Sequence, residues 1–466
     1  MSARWDAVLE ASAPIRVGSV LRAVGLSVDV VGLECAVGDV LRIAHATSAR
    51  TASVPADSAV ATDPTDHTLV EVVAVDQGVA RCMPLTGTAG LSQGDAVIHT
   101  GGPLLVPSGP GLLGRVLDGL GRPIDGKGPL TRVTYVPLTN EVPHPLTRAR
   151  ISRPLATSVR VLDTLITLGR GQRMGLFAGS GVGKSTLLSM IARGTDAAVS
   201  VVALVGERGR EVREFIDDDL GPEGLARSVV VVATSDQPAL VRVRSAFVAT
   251  AIASQFRSSG TDSVLMMDSL TRVAMAQREI GLSVGEPPAT RGYPPSTFAI
   301  LAQLLEQAGN GEHGSVTGIY TVLVDGDDHN EPVADAARSI LDGHVVLDRS
   351  LAVKGHFPAV DALASISRVA SKVLGDDYRH AALQLRRFMA ARAEVQDLLD
   401  VGAYVQGVNP EADAAIALHS EISAFLRQSV TQVTGFDEAW GTARQIVASL
   451  ENHTHKDNVD SGGISV

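Results

Sequence analysis

The stretch from Ala178 to Thr186 reads AGSGVGKST and lies between an apolar run and a helical pattern. Glycines at this spacing let backbone N–H groups approach a phosphate closely, and a helix that begins beside them adds its dipole. The sequence therefore predicts an ATP-binding loop in which Lys184 reaches the β- and γ-phosphates and Ser185 holds Mg²⁺. Ala178 replaces the first glycine of the usual motif, with little effect on the backbone. The predicted phosphate-binding residues are Gly179, Ser180, Gly181, Val182, Gly183, Lys184, Ser185 and Thr186.

Two carboxylates end other apolar runs, and parallel strands bring their carboxyl ends to one edge of a sheet. Asp268 follows VLMM and is predicted to orient the Mg²⁺ shell, although an aspartate here can also cap the helix that follows. Glu207 ends VALVGE and is predicted to orient and polarise the attacking water. Arg208 could contact phosphate or restrain Glu207, and on chemistry alone a surface Glu–Arg pair is an equal alternative.

These side chains need a parallel sheet to hold them, and the chain beyond residue 100 has the pattern of one. Helical patterns such as 238–257 alternate with apolar runs, which predicts an α/β fold with helices on both faces of the sheet. The Gly/Pro-rich stretch 101–130 is interpreted as a connector. The candidate strands are continuous rather than alternating in polarity, as in strands buried on both faces, and lie at 173–178, 199–205, 228–234, 263–268, 316–324 and 344–348.

Different patterns flank this region. Residues 17–100 contain short stretches of β-branched alternation punctuated by glycines, which predicts a small barrel or sandwich, with a loop at 46–66. From 371 onward only helical spacing occurs, which predicts a helical domain. Its last stretch, 452–466, is expected to be frayed or disordered.

The composition excludes several classes of protein. A chain of 466 residues predicts about three domains. A formal net charge of −11 with only 2 Trp, 5 Tyr and 9 Phe argues against a nucleic-acid binder. Cys35 and Cys82 are the two cysteines, so no disulfide framework or multi-cysteine zinc site is possible. No signal-peptide pattern and no apolar run of about 18 residues occurs, so we expect a soluble, cytoplasmic protein.

Other polar clusters are not interpreted as sites. His344, His356 and the histidines within 453–455 lack the spacing of metal ligands. The run 217–219 of three aspartates is expected to be a solvated face. The acidic stretch 325–332 favours a turn over a metal-binding loop.

Longer segments carry a resemblance to a known family. The chain resembles the ATPases of type III protein export, which are relatives of the catalytic β subunit of rotary ATP synthases. The similarity covers nearly the whole chain, and the flagellar branch is the most similar, particularly at FAGSGVGKS and in the N-terminal strands. Among the segments that carry it are GPGLLGRVLDGLGRPIDGKGPL, GRGQRMGLFAGSGVGKSTLL, VALVGERGREVREF, DDHNEPVADAARSILDGHVVLDRSLA and VGAYVQGVNPEADAAI.

The resemblance implies a RecA-like ATP-binding domain at 99–370 between an N-terminal segment and β-barrel domain at 1–98 and a helical C-terminal domain at 371–466. It implies a ring of six subunits with ATP between neighbours. Each remaining candidate then has an implied role: Glu207 is the catalytic carboxylate, Arg208 and Arg272 lie on the phosphate side, Phe357 packs on adenine, and Arg368 is the arginine finger that a neighbouring subunit inserts.

It also implies partners: a stator-like regulatory subunit, a central coiled-coil stalk protein, the membrane protein of the export gate and chaperone-bound export substrates. The ATPase would lie peripherally on the membrane-embedded apparatus. The first 16 residues are expected to form an amphipathic helix, with Trp5, Val8 and Leu9 on one face, that docks the stator-like partner. Their scarce basic charge, Arg4 and Arg16, argues against electrostatic membrane attachment. Phe357 stands where many relatives have Tyr, so stacking is kept and a hydroxyl contact is lost.

The predicted function is therefore ATP hydrolysis that energises flagellar protein export and releases substrates from chaperones. A virulence-type secretion ATPase and a rotary ATP synthase subunit are the alternatives within the fold. An RNA-translocating ring helicase would need a basic, aromatic RNA-binding domain. A catalytically silent ring subunit would lack Lys184 or Glu207, and both are present.

Overall fold

The computed structural model describes residues 16–45, 67–138, 142–324 and 331–461, with side chains up to 454. The predicted loop at 46–66, the predicted N-terminal amphipathic helix and most of the acidic stretch 325–332 lie outside these residues. Among the described residues, no helix is both long and apolar enough to cross a membrane.

The N-terminal strands form a closed six-stranded antiparallel barrel in the order β1-β2-β5-β4-β3-β6. Alternating side chains such as Leu41 and Ile43 point inward and are fully buried. Arg244 Nε, from the next domain, donates to Glu71 Oε2 at 2.7 Å and ties the barrel to it. The barrel strands are β1 (Val17–Val24), β2 (Ser27–Val31), β3 (Asp39–Ala44), β4 (His67–Asp76), β5 (Val79–Pro84) and β6 (Ala96–Pro103).

A nine-stranded sheet forms the central domain, in the order β19-β18-β12-β17-β15-β13-β14-β8, with β16 paired to β17. All of its pairs are parallel except those of β16 and β19. Two antiparallel strand pairs, β7 with β9 and β10 with β11, lie outside it. The strands are β7 (Leu105–Ser108), β8 (Arg115–Asp118), β9 (Thr134–Pro137), β10 (Pro154–Leu155), β11 (Leu168–Gly169), β12 (Arg173–Ala178), β13 (Val199–Glu207), β14 (Ser228–Thr234), β15 (Asp262–Asp268), β16 (Gly309–Asn310), β17 (Ser315–Leu323), β18 (Gly343–Leu347) and β19 (Val360–Ser367).

Helices cover both faces of this sheet, which explains why its strands read as continuous apolar runs. Along β13, Val201 and Ala203 enter one hydrophobic core while Val202 and Leu204 enter the other. The helices are α1 (Arg160–Leu165), α2 (Lys184–Gly194), α3 (Gly209–Glu214), a π-helical turn (Phe215–Leu220), α4 (Gly221–Ala226), α5 (Ala239–Ser258), α6 (Leu270–Ser283), α7 (Pro295–Glu306), α8 (Pro332–Ile340) and α9 (Arg349–Val353), with 3₁₀ turns at Pro110–Leu112 and Thr290–Gly292.

Three strands of the sheet, β8, β16 and β19, do not appear in the sequence prediction, and β16 has only two residues. β8 lies inside the stretch interpreted as a connector, where its four residues are too few to show a pattern. Its Arg115 is buried because Arg115 Nε donates to Asp125 Oδ2 at 2.7 Å, which removes the cost of an isolated buried charge. β19 follows β18 as an antiparallel edge strand, and its exposed positions interrupt the apolar signal.

The described residues of the C-terminal region form helices joined by loops and contain no strand, as predicted. Trp440 is fully buried there and stacks on Tyr378. The last helix continues its backbone pattern to Ser461, and the expectation of a frayed or disordered segment at 452–466 stays a prediction. The helices are α10 (Ala370–Val373), α11 (Asp376–Glu394), α12 (Gln396–Asp400), α13 (Pro410–Ala417), α14 (His419–Leu426) and α15 (Phe436–Ser461).

Candidate active site

The phosphate-binding loop joins β12 to α2. Ala178 ends the strand and Lys184 begins the helix. Gly181 and Gly183 have φ of 77° and 102°, in the left-handed region where a side chain would be strained. Val182, between them, is buried and anchors the loop to the core. The loop therefore offers backbone donors and a helix N-terminus, which suit a phosphate.

Charged side chains from three strand ends meet at this loop. Lys184 Nζ contacts Asp268 Oδ1 and lies 3.7 Å from Glu207 Oε1. The strand order β12-β17-β15-β13 explains the meeting, since parallel strands place their carboxyl ends at one edge. Asp268 does not cap α6. That cap is Ser269, whose hydroxyl accepts from Arg272 N at 3.4 Å.

The surroundings of Glu207 favour its protonated form. Its side chain is 14% exposed, and among the described residues Oε1 has no hydrogen-bond partner. Burial and, next, the charge of Asp268 raise the pKa of Glu207 to about 7 against the opposing effects of Lys184 and Arg272. A carboxyl group with this pKa can accept a proton near neutral pH, as a general base must.

The two arginines predicted on the phosphate side differ in placement. Arg272, on the first turn of α6, packs over Gly206, where an added Cβ would lie 3.0 Å from Arg272 Cβ. Its Nε is buried and, within the described part of the chain, has no hydrogen-bond partner. Arg208 instead points outward, with its side chain 79% exposed and its Nη1 3.3 Å from Glu211 Oε1. The structure therefore brings Arg272, but not Arg208, to Glu207, and Arg208 and Glu207 form no surface pair.

Phe357 lies beside the phosphate loop with 47% of its surface exposed. A Cβ added to Gly183 would lie 4.0 Å from the Phe357 ring. Gln428 N, from the C-terminal region, donates to Phe357 O at 2.8 Å and fixes the backbone there. An exposed ring next to a phosphate site is placed to stack on a nucleotide base.

Arg368 lies at the opposite edge of the sheet. It follows β19, whose Ser367 pairs with Gly343 at the start of β18, whereas Leu347 at the end of β18 pairs with Ala178. The full length of β18 therefore separates Arg368 from the loop of its own chain. Its backbone N–H donates to Asp342 O at 2.9 Å, and the residue is exposed.

The residues at the loop also fit a nucleotide-bound Mg²⁺. Ser185 is exposed at the start of α2, Thr186 is half-buried beside it, and Asp268 supplies one carboxylate. Mg²⁺ in phosphate sites takes one or two protein oxygens and completes its shell with phosphate and water. The described residues hold no group of three or more His, Cys, Asp or Glu that could bind a metal without a nucleotide.

Two contributors to the site were not predicted from the sequence. Thr321 Oγ1, on β17, donates to Asp268 Oδ1 at 2.9 Å and is fully buried. A hydroxyl inside the apolar run 316–324 is a signal that could have revealed it, because a buried hydroxyl needs a partner, although Thr317 and Tyr320 in the same run carry hydroxyls too. Arg349 Nη2, on α9, donates to Ser180 O at 3.0 Å and supports the loop from outside. Nothing in the sequence around Arg349 distinguishes it from an ordinary surface arginine.

Comparisons with known proteins agree with this geometry. The model of the ATP synthase alpha/beta family nucleotide-binding domain matches residues 158–367, and that of the T3SS EscN ATPase C-terminal domain matches residues 375–443. The flagellum-specific ATP synthase of Treponema pallidum is 49% identical over 440 residues, covering 93% of this chain and 94% of that protein. The type 3 secretion system ATPase of Xanthomonas euvesicatoria is 48% identical over 425 residues, covering 91% and 92%.

A solved structure extends the comparison to three dimensions. The assembled ATPase EscN of the enteropathogenic E. coli type III secretion system, in complex with its central stalk EscO, matches with a TM-score of 0.83 and 39% identity. The match covers 92% of this chain and all of that chain. The RecA-like core, the barrel and the C-terminal helices predicted from the resemblance are thereby confirmed. The chain belongs to the type III export ATPases within the ATP synthase alpha/beta family.

Proposed function

We propose that this protein hydrolyses Mg²⁺-bound ATP to energise the export of flagellar proteins by a type III apparatus and their release from chaperones. The observation that carries the proposal is the meeting of Lys184, Glu207 and Asp268 at the phosphate loop. The flagellum-specific relatives, which align over more than nine-tenths of the chain, support the flagellar assignment.

The proposed reaction is an in-line hydrolysis. A water oxygen bonds to the γ-phosphorus, the bond from that phosphorus to the bridging oxygen breaks, and ADP leaves with inorganic phosphate. Glu207 orients the water and takes its proton, which the raised pKa allows. Lys184 stabilises charge on the β- and γ-phosphates, in place of its contact with Asp268. Ser185 and Asp268 would hold Mg²⁺, which neutralises phosphate charge.

The position of Arg368 supports a ring. The phosphate loop of the same chain is at the other edge of the sheet, so Arg368 can contact a phosphate only in the nucleotide site of a neighbouring copy. We therefore propose a homohexamer in which Arg368 acts in trans and Phe357 binds the base in cis. EscN, a relative, has been solved assembled and with its central stalk EscO.

Partners of the export apparatus follow from the same proposal. Leu398, Val401, Val405 and Val408 are exposed apolar side chains around the turn that follows α12. This turn offers a surface for a central stalk protein. The stator-like subunit, the gate membrane protein and chaperone-bound substrates are proposed as further partners that hold the ATPase at the membrane-embedded apparatus.

Deletion of the gene in its native host tests the function. The deletion strain should lose external filaments and swimming, and wild-type protein should restore both. Lys184→Ala protein, expressed at the same level, should restore neither, or only weakly where proton motive force suffices for export. Normal motility of the deletion strain, with loss of secretion into host cells, would instead assign the protein to an injectisome.

A further inference from the structure

A second cleft lies behind the chain segment that supports the phosphate loop. The side chains of segment 348–361 lie on two sides. Arg349 bonds to the loop and Phe357 lies beside it, whereas Lys354 and His356 line the cleft. Helices α11 and α14 form the opposite wall. The cleft has a volume of about 370 Å³, within the range of small-molecule sites.

Basic side chains converge on this cleft although the whole chain is acidic. They come from the end of α9, the segment after it, α11, and both ends of α14, and they are Lys354, His356, Arg392, His419 and Arg427. In the described part of the chain none of them forms an ion pair with a carboxylate. Lys354, Arg392 and Arg427 therefore outnumber the two carboxylates that line the cleft, Asp348 and Asp361.

The two carboxylates that line the cleft are engaged with backbone. Asp348 Oδ1 accepts from Ser350 N at 2.5 Å, and Asp361 Oδ1 accepts from Leu363 N at 2.9 Å. Arg392 Nη1 donates to Gln396 Oε1 at 2.8 Å, but Arg392 Nε is buried and, among described residues, has no partner. A buried donor without a partner is costly, and an anion in the cleft would supply one.

The histidines show the same excess of positive charge. Burial, and then the charges of Arg427 and His419, lower the pKa of His356. Burial, and then Arg392 and Arg427, lower the pKa of His419. An anion would offset the charge effect on both imidazoles. Apolar side chains complete the walls, so an apolar body can accompany the anionic group; they are Leu351, Met389, Ile422 and Leu426.

We propose that this cleft binds a small organic anion, a carboxylate or phosphate monoester on an apolar body, and that its occupancy changes nucleotide affinity. The anionic group contacts Arg392, Arg427 and the two histidines, and the apolar body packs between Met389 and Ile422. The coupling to nucleotide follows from the shared segment 348–361, since a shift that closes the cleft also moves Arg349 and Phe357.

Calorimetric titration of the full chain, with Mg²⁺ and ADP present to fill the phosphate loop, tests the binding. Hexanoate and hexyl phosphate are the probes, and 1-hexanol is the neutral control. At least one anion should bind at least tenfold more tightly than hexanol, and the tighter one identifies the anionic group. Equal affinity for hexanol and both anions would overturn the proposal.

Variants locate the site. Arg392→Gln combined with Arg427→Gln should weaken anion binding at least tenfold. Arg444→Gln, which removes an exposed arginine of the same region outside the cleft, should not. Circular dichroism checks that the double variant is folded. A folded double variant with wild-type anion affinity would place the binding elsewhere and overturn the assignment.

Two further readouts depend on the charge and the coupling. Hexanoate affinity should rise as pH falls from 7 to 5.5, because the pKa values of His356 and His419 lie below the ordinary value and their protonation adds positive charge to that of Lys354, Arg392 and Arg427. The carboxylates that oppose this charge are Asp348 and Asp361 in the cleft and Asp400 beside Arg392. The anion should also change the Kd of a fluorescent ADP analogue, and ADP should change the anion Kd by the same factor. Binding without any such change would remove the coupling. None of these measurements requires hydrolysis, so their outcome does not depend on whether the proposed ATPase activity is correct.

Discussion

At the carboxyl edge of the central sheet, Lys184, Glu207 and Asp268 contact or approach one another with little solvent access. At the amino edge, Arg368 is exposed, and its backbone N–H bonds to Asp342 O. One edge thus holds its groups in place within a single chain, whereas the other presents a charge outward. From this difference we expect that one subunit can bind ATP alone and that fast hydrolysis needs two.

Among variants that still bind ATP, loss of the Arg368 side chain should lower turnover the most. Arg368→Ala should assemble and bind ATP but lose on the order of 10³-fold in turnover, because an arginine finger stabilises charge that develops in the transition state. The wild-type rate per subunit should rise with protein concentration as rings form. Phosphate release measured across the assembly range checks both.

Mixing variants separates action in trans from action in cis. Lys184→Ala should abolish hydrolysis and weaken ATP binding, and Arg368→Ala should nearly abolish turnover. A mixed ring contains interfaces with an intact Lys184 and an intact Arg368, so mixing should restore part of the activity. Normal hydrolysis by assembled Arg368→Ala rings would show that the amino edge takes no part in the reaction.

Glu207→Gln tests the carboxyl edge, and its expected loss of kcat is the next largest. The amide keeps the shape of the side chain but cannot accept the proton of water, so ATP should bind while kcat falls by roughly 10²-fold or more. Binding of a fluorescent ATP analogue and phosphate release separate the two steps. A wild-type kcat in this variant would show that Glu207 is not the base.

The sequence located the groups that meet at the carboxyl edge because its signals are local. The motif from Gly179 to Thr186 needs only its own backbone geometry, and Glu207 and Asp268 each end an apolar run. The strands at 173–178 and 228–234 were located to the residue. Continuous apolar runs identify buried parallel strands because helices cover both faces.

The features that were missed depend on distant contacts. Strand β8 is short, and Arg115 within it looks exposed until Asp125 neutralises it. Thr321 meets Asp268 only because β17 lies beside β15, an order that spacing along the chain does not give. Arg208 is a different case, since its partner Glu211 is only three residues away. The role on the phosphate side that the resemblance implies for Arg208 stays a prediction.

Phe357 lies at the carboxyl edge but outside the buried cluster, so its effect should be on binding alone. Phe357→Ala should weaken ATP binding by about 1–3 kcal/mol, on the scale of base–aromatic stacking. Phe357→Tyr should be nearly neutral, since the ring is kept. Equilibrium titration with ATP checks the change, and an unchanged affinity in the Ala variant would assign Phe357 to packing only.

The pH dependence of kcat/KM sharpens the assignment of the base. Glu207 must be ionised to accept a proton, and its pKa is raised to about 7. As pH falls below this value, kcat/KM should drop by about tenfold per pH unit, because kcat/KM reports the free enzyme. The step should vanish in Glu207→Gln, and a wild-type profile flat between pH 5.5 and 8 would contradict the assignment.

The smallest effect is expected for Thr321, and it tests whether a buried hydroxyl at the carboxyl edge positions Asp268. Thr321→Val keeps the shape of the side chain but removes the hydroxyl that donates to Asp268 Oδ1, so the carboxylate is held less firmly. A hydrogen bond to a charged group contributes about 1.5–3 kcal/mol, and only part of that is expressed in the transition state, so kcat should fall about tenfold with little change in KM. Thr321→Ser should restore most of the rate. Thr250→Val, at another fully buried threonine whose hydroxyl bonds to Ala246 O on α5, should leave kcat unchanged. Equal losses of kcat in the two valine variants would mean that Thr321 only stabilises the fold. A loss of kcat that is confined to Thr321→Val and absent from Thr321→Ser would show that β17 positions the carboxylate of Asp268.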